Sequence, residues 1–126
     1  MGKRYLIDTN VVIDFSVNRL SGKGKKLVME CIDTDPCISI ITKIELLGFS
    51  LVTQEIKDFV KSSLIVGLSE EIVDETIALR KSYKIQLPDA IIALTAIVSN
   101  FALLTRNFSD FKKIKNLSVV DLYKLS

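Results

Sequence analysis

The strongest constraint on the fold is an alternation. Short apolar or β-branched runs, 5–8, 37–40, 64–68, 101–104 and 117–120, are separated by segments of helical periodicity. Strands that take turns with helices assemble into a parallel sheet covered by helices on both faces. One helical segment, Ala90-Ile91-Ile92-Ala93-Leu94-Thr95-Ala96-Ile97-Val98, is apolar all round, so it belongs in the interior. The alternation predicts an α/β chain whose central, mainly parallel sheet has five strands, with helices above and below.

The intervening segments carry their own signals. Val11 to Phe15 reads as a helical turn and Asn18 to Gly24 as a polar loop. Leu27, Val28, Cys31 and Ile32 recur at helical spacing before Asp33-Thr34-Asp35-Pro36. A helix is expected from about Thr42 to Leu51, and another presents Ile56, Phe59, Val60 and Leu64 on one face. Ser69 opens a helix with Glu70 and Glu71 in its first turn and Arg80, Lys81 and Lys84 at its end, which suits the helix dipole. Pro88 at a first helical position starts the apolar helix, which runs to about Asn100. No internal repeat, low-complexity tract or linker interrupts the 126 residues, so a single domain spanning 1–126 is expected.

Composition narrows the chemistry by exclusion. The chain has no histidine, which removes imidazole as base, nucleophile or metal ligand and with it most zinc hydrolase and Ser-His-Asp designs. Two cysteines, Cys31 and Cys37, fit neither a zinc ligand set nor a disulfide scaffold and read as buried thiols of a reducing cytosol. A net charge of +2 does not announce a nucleic-acid binder by charge alone. The hydrophobic fraction of 48% is a little high for a small monomer and points to a second chain covering part of the surface. Lys3-Arg4 is followed by too short an apolar run for a signal peptide, and 90–104 is broken by Ser99-Asn100. A soluble cytoplasmic protein with no membrane span is expected.

Four acids stand where elements begin or end, beside apolar sequence: Asp8 after Leu6-Ile7, Glu45 before Leu46-Leu47, Asp89 after Leu87-Pro88, and Asp110 before Phe111. Each also has a purely structural reading. Asp8 caps the turn that follows it. Glu45 completes a capping box with Thr42. Asp89 complements a helix amino terminus, and Asp110 is a solvated turn residue. The functional reading rests on their coincidence, because ligand sites of open parallel sheets lie outside the carboxyl ends of the strands, where all four are expected. Asp14, Glu30, Asp58, Glu70, Glu71 and Asp74 read instead as solvated faces. Clustered carboxylates repel unless a cation neutralises them, and an all-oxygen set favours Mg²⁺ or Mn²⁺. Such an ion activates water and polarises a phosphate, so phosphoryl chemistry is the expectation.

At this point the residues resemble the PIN-domain nucleases, and more narrowly the VapC-type toxins of type II toxin–antitoxin pairs. The resemblance is carried in order by Tyr5-Leu6-Ile7-Asp8-Thr9-Asn10, by Ile41-Thr42-x-Ile44-Glu45-Leu46, by Leu87-Pro88-Asp89-Ala90-Ile91-Ile92-Ala93, and by Leu103-Leu104-Thr105-Arg106-Asn107-x-x-Asp110-Phe111. No single motif is specific, whereas the ordered set covers essentially the whole chain. It implies a three-layer α/β/α sandwich, Mg²⁺- or Mn²⁺-dependent endoribonuclease activity, homodimerisation, and inhibition by a cognate antitoxin. It makes Asp8 and Asp89 the chief metal ligands, Glu45 a ligand or an orienter of the attacking water, and Asp110 the fourth acid. Thr9 and Thr105 become hydrogen-bonding supports of the carboxylates. Asn107 stands where some relatives carry an acid, leaving Asp110 as the only carboxylate there. Arg106 is a candidate to hold a phosphate, or else a solvated loop arginine, and Lys43, Arg80, Lys81 and Lys84 are candidates to line the approach of an unstacked RNA.

Two other readings compete. A phosphotransferase of the haloacid-dehalogenase kind would use Asp8 as nucleophile, but that chemistry wants a second acid at position 10, which is Asn. A PIN-like module that binds RNA or protein without catalysis would need none of the four acids.

Overall fold

The computed structural model describes residues 4–125; Lys3, part of the amino-terminal reading above, lies outside them. Five strands, β1 (Tyr5–Ile7), β2 (Cys37–Ser39), β3 (Leu64–Val66), β4 (Ala102–Thr105) and β5 (Val119–Asp121), form one sheet in the order β3-β2-β1-β4-β5. Every neighbouring pair is parallel. The helices are α1 (Thr9–Ser16), α2 (Gly22–Thr34), α3 (Ile40–Leu47), α4 (Gln54–Ser62), α5 (Glu70–Ser82), α6 (Leu87–Ser99) and the single turn α7 (Phe108–Phe111). A short 3-10 turn, Leu122–Lys124, follows β5.

Strand periodicity sorts the side chains into two cores. Leu6 and Leu103, opposite each other in the ladder, pack with Ile91, Ile92 and Phe111 on one face of the sheet. Ile7 and Leu104, one residue on, pack with Val11, Val28 and Ile38 on the other. Each of these four strand side chains is at most 1% exposed. Burial of that completeness is worth roughly 1.5–3 kcal/mol per side chain, and a one-residue slip would exchange the two faces, so the register is strongly held. Two cores on opposite faces make the three-layer α/β/α arrangement that the alternation predicts.

Helix α6 is the interior helix, with residues Ala90 through Ala96 all buried. It ends at Asn100 in the left-handed region (φ 59°), and the amide of Phe101 returns to the Ala96 carbonyl (2.9 Å) as β4 begins. This tight reversal runs α6 against β4, so its amino terminus, with Asp89, lies at the carboxyl edge of the sheet. The chain leaves β1 for β2 and β3 on one side and returns for β4 and β5 on the other. The strand order therefore reverses between β1 and β4, which is where ligand crevices of such sheets open.

Two local expectations give way to tertiary contacts, and the helix expected to reach Leu51 already ends at Leu47. Helix α2 starts at Gly22, inside the expected polar loop, because the 3-10 turn lies across its first turn. A Cβ at Gly24 would sit 2.5 Å from the Leu122 carbonyl oxygen, so the backbones approach as only glycine permits. Segment 108–111 forms α7 instead of a turn, with Phe111 fully buried as its anchor. Among the described residues, no helix is long and apolar enough to cross a membrane.

Candidate active site

Asp8 leaves β1 at the reversal of strand order and is 3% exposed. Its amide donates to the Leu104 carbonyl (3.0 Å), which locks the ends of β1 and β4 together. Both carboxylate oxygens are engaged. Oδ1 accepts from the Thr9 amide (2.8 Å), capping α1, and Oδ2 accepts from the Thr105 hydroxyl (2.7 Å). The capping reading of Asp8 is thus correct for one oxygen and leaves the second to a residue 97 positions away. Thr105 is itself oriented, because its oxygen accepts the Asn107 amide (3.0 Å). The loop after β4 therefore delivers one directed donor to a buried carboxylate.

Thr9 does the equivalent for Glu45. Its hydroxyl donates to Glu45 Oε1 (2.6 Å) and lies 3.0 Å from the Thr42 hydroxyl. A hydroxyl has one proton and the carboxylate can only accept, so Thr42 donates to Thr9 and Thr9 to Glu45. The capping box proposed for Thr42 and Glu45 does not form. Helix α3 begins two residues earlier, at Ile40, with Ser39 as its cap accepting the Ile41 amide (2.9 Å). Thr42 is thereby carried into the helix, fully buried, and Glu45 projects toward Thr9 from an otherwise exposed position.

Asp89 is half-buried in the first turn of α6, and Asp110 is exposed on α7. The solvated-turn reading of Asp110 is right about exposure and wrong about the turn. Electrostatics tie the four acids into one neighbourhood. Burial, reinforced by the charges of Asp89 and Glu45, raises the Asp8 carboxyl from 3.8 to about 6, although the Thr105 and Thr9 hydrogen bonds pull the other way. Burial also raises Asp89, and Glu45 and Asp110 add to the rise. No basic side chain forms an ion pair with any of the four: among the described residues the ion pairs are Arg4–Asp35 and Arg106–Asp14.

The donor set suits a hard divalent cation. It is all oxygen, its innermost member is a desolvated carboxylate held away from its ordinary ionisation, and among the described residues no base forms an ion pair with any of the four acids. Among the described residues no three acids stand close enough to make a ready-made ligand cage. Mg²⁺ does not need one, since it keeps several waters and takes one or two carboxylates, completing its shell with substrate phosphate oxygens.

Asp14 requires a correction. Read as a solvated residue, it is 2% exposed. Arg106 Nη1 reaches both of its oxygens (3.2 and 3.3 Å), and the Tyr123 hydroxyl donates to Oδ2. Burial and the Asp14 hydrogen bond push the Tyr123 phenol upward. Arg106 is therefore neither free in solvent nor aimed wholly at a ligand; it ties the β4–α7 loop to α1. Asn107 contributes its amide to Thr105 and makes no side-chain cap. Of the basic candidates, Arg80 and Lys84 border Asp89 and Asp110, whereas Lys43 lies in a separate groove with Lys57 and Lys61. Sequence reasoning missed Thr42, Asp14 and Tyr123. Asp14 alone left a signal, standing in Val11-Val12-Ile13-Asp14-Phe15 at helical spacing from buried Val11.

Comparison with known proteins follows the same lines. The sequence model of the family described as PIN domain matches residues 5–117. A toxin–antitoxin complex from Klebsiella pneumoniae contains a chain 34% identical, aligned over 94% of this chain and 98% of that one with a TM-score of 0.76. VapBC-1 from nontypeable Haemophilus influenzae is 24% identical over 95% and 98% of the two chains, with a TM-score of 0.77. DNA-bound VapBC from Salmonella typhimurium is 18% identical over 96% and 99%, also at 0.77. The last two likenesses concern the fold alone. Among curated proteins, none matches the sequence significantly.

Proposed function

This chain belongs to the PIN-domain family, and from that premise we propose that it is a VapC-type toxin, a Mg²⁺- or Mn²⁺-dependent endoribonuclease restrained by a cognate antitoxin. The observation that carries the reading is Asp8: a carboxylate 3% exposed, raised to about 6 by burial and neighbouring acids, with no ion pair to it among the described residues. Such a group is expensive to ionise unless a cation is supplied.

Asp8 and Asp89 would hold the cation, which would supply Lewis-acid activation of water and of the scissile phosphate. The chain's own residues do the positioning. Thr105, fixed by the Asn107 amide, keeps Asp8 in one rotamer, so the ligand oxygen does not wander. Thr9 takes Oε1 of Glu45 and leaves Oε2 unengaged; Glu45 orients the attacking water and accepts its proton there. Asp110, exposed at the mouth, completes the acidic set from the far side of Asp89. The phosphotransferase reading fares poorly, because the second acid that chemistry wants at position 10 is Asn10.

The antitoxin is assigned by chemistry to the groove between α1, α2 and α4. Val12, Phe15, Ile32 and Phe59 line a cavity of about 370 Å³ whose rim carries Glu55 and Asp58. Apolar side chains on a segment with flanking bases fit that pattern. Exposed Ile44, Leu51, Leu68 and Ile77 support a homodimer. The test is cleavage of an end-labelled single-stranded RNA by the purified chain, with and without Mg²⁺. Cleavage that needs the metal and disappears in Asp89→Asn is expected; cleavage unaffected by chelation refutes the proposal.

A further inference from the structure

Asp89 and Asp110 do not stand alone in their cleft. They share about 350 Å³ with Arg80 from the last turn of α5, Lys84 and Gln86 from the connection to α6, and Lys113 just beyond α7. Opposite charges this close would normally be expected to pair. Here they do not. Among the described residues none of the three cations forms an ion pair, and Lys84 and Lys113 make no hydrogen bond either. Arg80 uses only its Nε, toward the Ile85 carbonyl (3.4 Å), which orients the guanidinium over the α5–α6 connection and leaves its terminal nitrogens open. The carboxylates of Asp89 and Asp110 accept no hydrogen bond from any described residue. Acids and bases line one cleft with their ligand-binding atoms unspent on each other.

We propose that Arg80, Lys84 and Lys113 form a phosphate-binding rim that seats the RNA backbone next to the bond to be cut. The proposal rests on the nuclease reading of the acidic site and adds how that site tolerates its substrate. A cleft carrying only Asp89 and Asp110 would repel a polyanion before any cation was shared. Three positive charges against two negative ones reverse that sign locally, in a protein whose net charge is only +2. The geometry also divides the labour. The acids come from helix starts at the sheet edge and the bases from the outer margin, so phosphates beside the scissile one meet the cations while the scissile one meets the acids. Of the basic residues singled out from the sequence, this selects Arg80 and Lys84, omits Lys43, Lys81 and Arg106, and adds Lys113.

The test is binding of a short fluorescent single-stranded RNA, followed by anisotropy in chelator so that cleavage is silent. Counterion release contributes a salt slope of about −0.7 per phosphate contact on single strands. Between about 50 and 200 mM salt, the native chain should therefore lose roughly twentyfold more affinity than the triple variant Arg80→Ala, Lys84→Ala, Lys113→Ala. The charge-conserving triple, Arg80→Lys, Lys84→Arg, Lys113→Arg, should keep the native slope, which a folding defect would not allow. Removing Lys23, Lys26 and Lys57, exposed on the other helical layer, should leave the slope unchanged. An equal loss in that control, or a native slope in the alanine triple, overturns the rim. If RNA is cleaved but the alanine triple keeps the native KM, the rim fails and the nuclease reading stands. If rim-dependent binding persists while no RNA is ever cut, the reverse holds.

Discussion

Replacing Asp8 by Asn should make the metal-free protein more stable at neutral pH while abolishing its activity. The Asp8 carboxyl is raised from 3.8 to about 6 in the fold. The folded chain therefore holds that proton more tightly than the unfolded chain does. The associated stability is fully present below the unfolded value and is lost as pH rises through the folded one. At about 1.4 kcal/mol per pH unit, ionising the buried carboxylate at neutral pH costs about 3 kcal/mol. Asn keeps the acceptor for the Thr9 amide, but its NH₂ replaces the acceptor of the Thr105 hydroxyl, whose proton is left without a partner. That mismatch costs about 1 kcal/mol at every pH. The variant should thus match the native chain near about pH 4.5 and exceed it by about 2 kcal/mol near about pH 7.5. In urea unfolding followed by circular dichroism with chelator present, that is a midpoint shift of about 1 M. Adding Mg²⁺ to about 100 times its dissociation constant should stabilise the native chain by about 2.7 kcal/mol and the variant much less. Unfolding curves that keep a constant separation across this pH range would refute the argument that Asp8 is a desolvated, uncompensated acid.

Thr105→Val removes the donor to Asp8 and the acceptor for Asn107 together, so it should cost about 1–3 kcal/mol of stability. It should also move the acidic limb of the activity–pH profile upward, because the lost hydrogen bond is one that lowers the Asp8 carboxyl; an unmoved limb counts against the link. Asp14→Asn should lower stability by about 1–3 kcal/mol by weakening its bonds to Arg106 and Tyr123, and Arg106→Met should add little to it. Fully additive losses in that double variant would mean the pair is not coupled. Sedimentation equilibrium should give about twice the 14.1 kDa chain mass, with a monomer throughout the micromolar range opposing the dimer.

Much of this site was legible because its parts are local. Asp8 at the end of an apolar strand, Pro88-Asp89 at the start of an apolar helix, and Asn100 at its end each announce themselves within a few residues. The sheet followed from strand and helix periodicities, and Leu6/Leu103 against Ile7/Leu104 shows the alternation working on both faces. What stayed hidden is what depends on distant partners. Glu45 looked like half of a capping box because Thr42 stands three residues before it; the actual cap is Ser39, and the actual partner, Thr9, is 36 residues away. Asp14 groups with the acids of polar segments when read from sequence, whereas its partners lie 92 and 109 positions on. Lys113 gave no sign of its place, since a lysine after a phenylalanine turn is ordinary until α7 carries it to Asp89.

The central claim is that Asp8 and Asp89 share one hard divalent cation. Titration of Mn²⁺ into the purified protein, with free ion followed by electron paramagnetic resonance, measures it without relying on RNA cleavage. Binding to the native chain that Mg²⁺ competes away, and that both Asp8→Asn and Asp89→Asn abolish, is the expected result. Undiminished Mn²⁺ binding by the two variants, or none by the native chain even with a non-cleavable RNA bound, would contradict the account.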